Sequence, residues 1–504
     1  MRLGDLVADV PGATLCAGHA DTEITGIKHD SRRVTAGDLY VVMPGERFDA
    51  RQYVAEALAR GAVGLVVDER ARDSQAQNVV RVPATRPALA DLAASFHGHP
   101  SRRLRLVGVT GTDGKTSTTH LLSSILEEAG LRTGWLTTID VKIGEVRRPN
   151  DLNHTTPEAD RVQEVLAEMV AAGVDVAIME SSSHALALDR LRGCEFDVAV
   201  FTNLSPEHLN FHGTMEEYLL AKARLFQMLG DPTEKRWPRV GIVNADDGTA
   251  ARLQSLCPVR TLSYGLQTPA DVRATDIATD HAGVAFNLVA HGQQVRIRSG
   301  LLGRFNVSNW LAAATAALEL GASLDHVARA AQRVQPVQGR MEPVDQGQPF
   351  LVVVDFAHTP QALETALSTL RQHTPGHLYL AFGHAGERDP ASRPTMGAIA
   401  ATHADFFTIT MDDPLNEDPE AIAQAIAQGA IAQGARPGEH FDIQLDRAVA
   451  IERLIARAGP GDAVLLAGKG HEPRMLVGNN RLPWSDREAA ERSLRDAGYS
   501  GARN

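Results

Sequence analysis

Between Leu106 and Thr119 the chain reads Leu-Val-Gly-Val-Thr-Gly-Thr-Asp-Gly-Lys-Thr-Ser-Thr-Thr, and that order admits few backbones. The β-branched apolar run suits a strand, the glycines a tight turn, and His120-Leu121-Leu122 opens a helical pattern. A strand that feeds a Gly-rich turn into a helix is a phosphate cradle. Glycines let backbone N–H groups approach an anion, the helix N-terminus adds its partial positive charge, and a lysine and a hydroxyl can serve the phosphates and Mg²⁺. Here Gly111, Thr112, Asp113, Gly114, Lys115, Thr116 and Ser117 fill those roles in the short form G-x-x-G-K-[ST]. A Gly-rich turn alone is also an ordinary strand-to-helix connection; Lys115 and Thr116 tip the reading toward nucleotide.

Around this cradle, length and charge set limits. A chain of 504 residues with 43% hydrophobic content can form about three domains, each with its own core. Fifty basic residues face 62 acidic ones with no Lys/Arg-rich run, which argues against a nucleic-acid surface. Cys16, Cys194 and Cys257 lie far apart without C-x-x-C spacing, so neither a disulfide framework nor a structural zinc site is expected, and a reducing cytoplasm fits. No apolar run is long enough for a membrane span, and no signal peptide is read at the N-terminus.

The fold class expected is α/β in three domains. Residues 1–100 read as a small mixed α/β unit, with strand signals at Ile24–Ile27, Leu39–Met43 and Val63–Val67 and a helix over Arg51–Arg60. Residues 101–336 alternate strands (Leu104–Val109, Val174–Met179, Val198–Thr202, Val240–Val243) with helices such as Arg161–Ala172, the pattern of a P-loop ATPase-like parallel sheet. Residues 337–504 restart the alternation in a doubly wound, Rossmann-like form. Its strands are Phe350–Asp355, Leu378–Phe382, Phe406–Thr410 and Ala463–Leu466; its helices are Gln361–Arg371, Pro419–Gln433 and Arg447–Ala456. Gly98–Arg103 suits a linker, and a hinge is expected near Val337–Arg340.

In open α/β sheets ligands collect just past the strands. Glu180 ends such a strand, where a carboxylate can hold Mg²⁺ or simply start a helix. His208 follows the next one; taken alone, a histidine there is more often hydrogen-bonded than metal-bound. By spacing, Lys222 is a plain helix lysine, and Asp30-Ser31-Arg32-Arg33 a solvated turn or a polar-ligand site.

Taken together, Thr110–Thr119, Met179–His184, Thr202–Ser205, Gly303–Asn306, Gly339–Glu342, Asp355–Pro360 and Gly468–Glu472 resemble, in this order, the ATP-dependent muramyl ligases of peptidoglycan synthesis. The likeness runs over nearly the whole chain and is strongest to members that add the third residue. It implies an ADP-forming amide ligase acting on UDP-N-acetylmuramoyl-L-Ala-D-Glu, a cytoplasmic enzyme and a monomer. The first domain would hold the UDP-sugar, the central one ATP, and the third the incoming amino acid and part of ATP.

Residue by residue, the resemblance puts Lys115 on the β/γ-phosphates and Thr116 on Mg²⁺. Glu180, His208 and Lys222 would serve a second Mg²⁺, the lysine as a CO₂-derived carbamate. Asn306, Asn309, Arg340, Asp355 and His358 would contact the nucleotide. Ser31, Thr155, Thr156, Ser182 and Arg190 would contact the UDP-muramoyl dipeptide, with His154 where Asn is usual and Leu188 where Gln is common. Arg388, Asp412, Asp413, Pro414, Leu415, Gly468 and Glu472 would meet the amino acid. Relatives that use meso-diaminopimelate usually carry Asp-Asn-Pro-Arg, whose Arg binds the distal carboxylate; this chain has Asp412-Asp413-Pro414-Leu415. A distal carboxylate would lose its partner there, while Asp413 or Glu417 could serve a distal ammonium, so L-lysine or L-ornithine is expected over meso-diaminopimelate. Arg474 or another cation could instead replace the guanidinium. The alternatives are a diaminopimelate-adding or other muramyl- or folylpolyglutamate-type ligase and, in another class, a nucleotide-binding regulatory module without catalysis.

Overall fold

The computed structural model describes residues 1–43, 50–69, 76–150, 154–280 and 282–501. The chain divides into two compact units, one made of Met1–Gly111, Leu126–Leu204 and Thr214–Ser263, the other of Thr112–Ile125, Ser205–Gly213 and Tyr264–Asn504.

The first unit holds two sheets. In the smaller, the strands run in the order Thr14–Ala17, Asn78–Val82, Gly64–Asp68, Asp38–Val41, Gly26–Lys28; only the first is antiparallel to its neighbour. The larger has a parallel core ordered Val240–Asn244, Val198–Phe201, Arg105–Thr110, Val176–Glu180, Thr133–Leu136, extended by the antiparallel strands Asp140–Ile143 and Val146–Pro149. Arg105–Thr110 sits mid-sheet with a strand on each side, so its run is buried and apolar, as a parallel strand covered on both faces must be. The helix Met215–Gln227 packs closely over it: a Cβ on Gly108 would stand 2.6 Å from Leu225 and 2.9 Å from Phe196. That close approach fixes where the helix presents Lys222.

The second unit carries a six-stranded sheet ordered Glu342–Pro343, Leu351–Asp355, Ala463–Ala467, Leu378–Phe382, Phe406–Ile409, Phe441–Ile443, parallel except at its first edge. Its helices Pro360–Arg371, Pro419–Ala432 and Arg447–Arg457 each start at a side-chain cap, from Thr359, Asp418 and Asp446. The unit also holds an antiparallel ladder of Val272–Asp280, Gly283–Ala290 and Gln293–Ser299 that the sequence reading did not anticipate. Its outer strands are largely solvated and polar, with Val272–Asp280 buried only at alternate early positions, while the middle strand Gly283–Ala290 alternates buried Val284, Phe286, Leu288 and Ala290. The expected strands are all present. The span Arg51–Arg60 splits into a 3₁₀ turn, Ala50–Tyr53, and a helix, Val54–Ala59.

Candidate active site

The helix Lys115–Glu128 starts at the lysine of the Gly-rich loop. Gly111 has φ +149° and a Cβ there would lie 1.9 Å from Thr202 Oγ1; Gly114 has φ +83° and its Cβ would lie 2.5 Å from Asn309 Oδ1. Neither position admits a side chain, so the loop leaves backbone N–H groups where a phosphate can reach them. Lys115 Nζ donates to Thr112 O at 2.6 Å, an ammonium folded onto its own loop. Thr112 is tied by Oγ1, which accepts from Ser205 N at 3.0 Å, and Thr116 is buried. Asn306 and Asn309, one turn apart on the helix Arg304–Glu319, are linked at 3.0 Å, and Asn306 also donates to Leu302 O. These residues fit a nucleotide phosphate chain.

In the first unit, Glu180 is fully buried at its strand's end and accepts from Thr138 N and Thr138 Oγ1 at 3.1 and 2.9 Å. A buried, oriented carboxylate suits a hard cation, and Glu180 with a carboxylate-modified Lys222 would supply oxygen ligands of the type Mg²⁺ takes. As it stands, Lys222 Nζ donates to Gly111 O at 2.7 Å and lies 4.2 Å above the Tyr218 ring. Thr155 bonds Thr138, while Thr156 Oγ1 reaches Glu180 O at 2.7 Å and Ser182 Oγ at 3.2 Å. Ser182 caps the helix Ser183–Ala187. Arg190 Nη1 donates to Thr156 O at 3.1 Å, and Nη2 meets Glu158 at 2.8 Å. Ser31, on a 3₁₀ turn capped by Asp30, donates to Glu56 at 2.8 Å. Burial and the Arg190 charge hold His154 below the ordinary histidine pKa, so it is neutral at pH 7.

In the second unit, Asp355 accepts from Met341 N at 2.6 Å and Ala357 N at 2.9 Å; complete burial raises its pKa although Arg340 opposes this. The Arg340 guanidinium stacks 4.7 Å over Phe356, whose ring also meets His358 and His471. Glu207 lies 3.5 Å from both His208 and His358. Burial would raise its pKa, but the His358 hydrogen bond, His208 and Lys115 hold it well below the carboxylate range. His208, with left-handed φ +57°, precedes the short helix Leu209–His212.

The amino-acid loop differs from expectation in one respect. Asp413, proposed from sequence as a seat for a distal ammonium, already accepts from Lys469 Nζ at 2.7 Å and Leu476 N at 2.9 Å. Glu417 is likewise engaged, by Arg393 at 2.8 Å and Glu387 N. Lys469 is fully buried and also meets Glu472 at 2.6 Å. Burial lowers its pKa, yet Asp412, Glu472 and Asp413 outweigh this and raise it. The same lysine, with Arg447, keeps Asp412 ionised against burial, whereas burial prevails at Glu472 and raises it. Leu415 has φ +54° and pairs through its backbone with Leu476 and Gly478, which fastens the loop to the hairpin Arg474–Pro483. The loop that carries Arg388 is fastened to it by Gly386 N donating to Asp413 O at 2.8 Å and Asn416 donating to Glu387 at 2.7 Å. Lys469, Thr138 and Glu158 were not singled out from sequence. Lys469 stands inside the Gly468–Glu472 motif, a signal that was available; the other two are recognised only by what they hold.

A phosphate cradle with a buried carboxylate at a neighbouring strand end defines a nucleotide-dependent enzyme, and comparison with known proteins narrows it. Residues 23–97 match the Mur ligase family catalytic domain, 109–317 the Mur ligase middle domain, and 339–470 the Mur ligase glutamate ligase domain. The UDP-N-acetylmuramyl-tripeptide synthetase of Roseiflexus sp. (strain RS-1) is 45% identical over 488 residues, 95% of this chain and 96% of that protein. The UDP-N-acetylmuramoyl-L-alanyl-D-glutamate--2,6-diaminopimelate ligase of Geobacillus kaustophilus (strain HTA426) is 40% identical over 498 residues, 99% of this chain and all of that protein. A solved UDP-N-acetylmuramoyl-L-alanyl-D-glutamate--2,6-diaminopimelate ligase superposes with TM-score 0.67 at 30% identity, over 99% of this chain and 100% of the other. The chain belongs to the Mur ligase family. It has that family's three-domain α/β fold and is an ATP-dependent, amide-bond-forming ligase.

Proposed function

We propose that this ligase performs the third-residue step, joining the γ-carboxylate of D-glutamate in UDP-N-acetylmuramoyl-L-Ala-D-Glu to a diamino acid. What carries this reading is similarity of 40% or more, over 95% or more of the chain, to proteins named for that step. The γ-carboxylate attacks the γ-phosphoryl group of ATP and ADP leaves. The amine then attacks the acyl phosphate, phosphate is expelled, and the amide remains. Lys115 and the loop N–H groups offset charge on the transferred phosphoryl. Glu180, His208 and a carbamylated Lys222 would hold Mg²⁺, a Lewis acid for phosphate oxygens. Ser31, Thr155, Thr156, Ser182 and Arg190 face the nucleotide-sugar dipeptide in this reading. Arg388, the Asp412–Leu415 loop, Gly468 and Glu472 face the amino acid. Residues 1–100, 101–336 and 337–504 are the corresponding domains.

For the amino acid, meso-diaminopimelate is the better supported choice: several relatives carry it in their names, and Asp413 and Glu417 are occupied by cations of the chain itself. Leu415, where an arginine would bind the distal carboxylate, favours the second reading of L-lysine or L-ornithine. Steady-state kcat/KM with saturating ATP and UDP-muramoyl dipeptide, for each diamino acid in turn, decides between them. The highest value is expected for meso-diaminopimelate, and a tenfold advantage for lysine or ornithine would reverse the choice. No turnover with any of the three would remove the third-residue reading.

A further inference from the structure

Glu158 stands just before the helix Ala159–Ala171 with its side chain only 14% exposed, and two arginines share it. Arg190 Nη2 meets it at 2.8 Å, a full charge-assisted bond. Arg86, in the first turn of the helix Thr85–Phe96, lies 3.4 and 3.5 Å from the two carboxylate oxygens, too long for the paired contact a guanidinium makes when it is fully committed. Of the other acids at this helix start, Asp160 is matched by His29 at 2.9 Å, and Glu164, like Glu158, is shared by two guanidiniums, those of Arg161 and Arg33. At Glu158 itself two guanidiniums face one carboxylate, with one positive charge in excess. A second observation points the same way. Arg190 is 92% buried, two of its nitrogens are committed to Thr156 O and Glu158, and its Nε is buried without a partner among the described residues. A buried N–H left unpaired is destabilising, and an anionic oxygen brought by a ligand would satisfy it.

We infer that Arg86 and Arg190 form a two-guanidinium seat for an anionic group of the substrate, with Glu158 as the shared counterion that holds both arginines in place. The inference rests on the nucleotide-sugar peptide reading above and adds Arg86 to it. Besides the reacting γ-carboxylate, that substrate offers two anions of suitable chemistry, the α-carboxylate of D-glutamate and the diphosphate. Both are planar or forked oxygen arrays that a guanidinium meets bidentately. Arg86 keeps its side chain 27% exposed, so a ligand can reach it.

The test is binding of UDP-N-acetylmuramoyl-L-Ala-D-Glu by calorimetry, without turnover, to the full chain, its Arg86→Met variant and its Arg86→Lys variant. Arg86→Met should weaken Kd by at least tenfold, with Arg86→Lys between, while the KM values for ATP and amino acid stay within twofold; a merely structural role would move all three together. An analogue whose glutamate α-carboxyl is an amide separates the two anions. If the seat takes the carboxylate, Arg86→Met loses nothing further with the analogue; if it takes the diphosphate, the tenfold loss persists. In the unsubstituted protein, phenylglyoxal labelling of the Arg86 peptide should be suppressed by the UDP-dipeptide and not by ATP, a readout that stands even if a variant fails to fold. Unchanged Kd in folded Arg86→Met, or labelling indifferent to the dipeptide, overturns the seat. A wild-type protein that fails to bind the dipeptide at all instead removes the functional reading, and the seat with it.

Discussion

At the scale of single residues, Lys222 has two physical readings that a substitution can separate. Its ammonium donates to Gly111 O at 2.7 Å and so steadies the phosphate loop as it stands. Reaction with CO₂ would replace that cation by a carboxylate-like metal ligand. Lys222→Arg keeps a cation and a donor but cannot form the carbamate. If the carbamate matters, both Lys222→Arg and Lys222→Ala should lose at least about 100-fold in kcat, as when an electrostatic group is removed from a closed site. Formate or acetate should then restore part of the Lys222→Ala activity and none of the Lys222→Arg activity. Near wild-type turnover by Lys222→Arg in a steady-state assay would leave only the tether to Gly111. From the sequence, spacing alone made Lys222 a helix lysine, because nothing local distinguishes it. Its burial to 1% exposure is imposed by Gly108 and the close packing of its helix, a contact between segments more than 100 residues apart.

At the scale of elements, the strand Gly26–Lys28 leads directly to His29, which is joined to the first turn of the helix Ala159–Ala171 through Asp160 at 2.9 Å. Burial would lower the His29 pKa, but its hydrogen bond to Asp160 prevails and raises it. Burial would raise Asp160, and His29 instead holds it down. A raised histidine contributes fully below its unfolded pKa near 6.5 and loses that contribution as pH climbs through the folded value. A depressed aspartate contributes above about 3.9 and loses that contribution in acid. The joint should therefore be strongest between about pH 4 and 6.5 and fade above that. His29→Gln should lower Tm by about 2 °C or more at pH 6, and by less at pH 8, as a contribution near 1 kcal/mol in a domain of this size implies. Scanning calorimetry of both proteins at the two pH values checks it; an equal deficit at both would mean that His29 packs but does not carry charge. The strands themselves were legible wherever they are buried on both faces, as with Leu378–Phe382, because such strands are unbroken apolar runs bounded by turns. The ladder over 272–299 was missed: its outer strands Val272–Asp280 and Gln293–Ser299 interleave exposed polar residues with few buried ones, although the middle strand Gly283–Ala290 buries Val284, Phe286, Leu288 and Ala290 in alternation, a period-2 signal that was available.

At the scale of the whole molecule, the proposed contacts run from Ser31 to Glu472, and each kind was legible to a different degree. The phosphate loop was plain because its chemistry is local: Gly111, Gly114 and Lys115 lie within five consecutive residues. At the amino-acid loop the charge balance is not local. Asp413 looked free until Lys469, 56 positions away, was placed on it. A reaction whose groups are so dispersed is best tested through an intermediate that only part of the machinery should make. If the γ-carboxylate of the dipeptide takes the phosphoryl group first, ATP and UDP-N-acetylmuramoyl-L-Ala-D-Glu should form the acyl phosphate reversibly before any diamino acid is present. The β-phosphate of the ADP so formed can rotate, and return of the phosphoryl group then moves ¹⁸O from the β,γ-bridge of ATP to a non-bridging position. NMR of labelled ATP should show that exchange when the dipeptide is added, none with ATP alone, and suppression at saturating diamino acid, which drains the intermediate forward. Exchange without the dipeptide would mean that a group of the protein accepts the phosphoryl, and Lys115 would be serving a different acceptor. If the dipeptide produced no exchange in a protein that still makes the amide product, the amine would have to be present before the phosphoryl moves, and the two-step order would give way to one that needs every substrate bound.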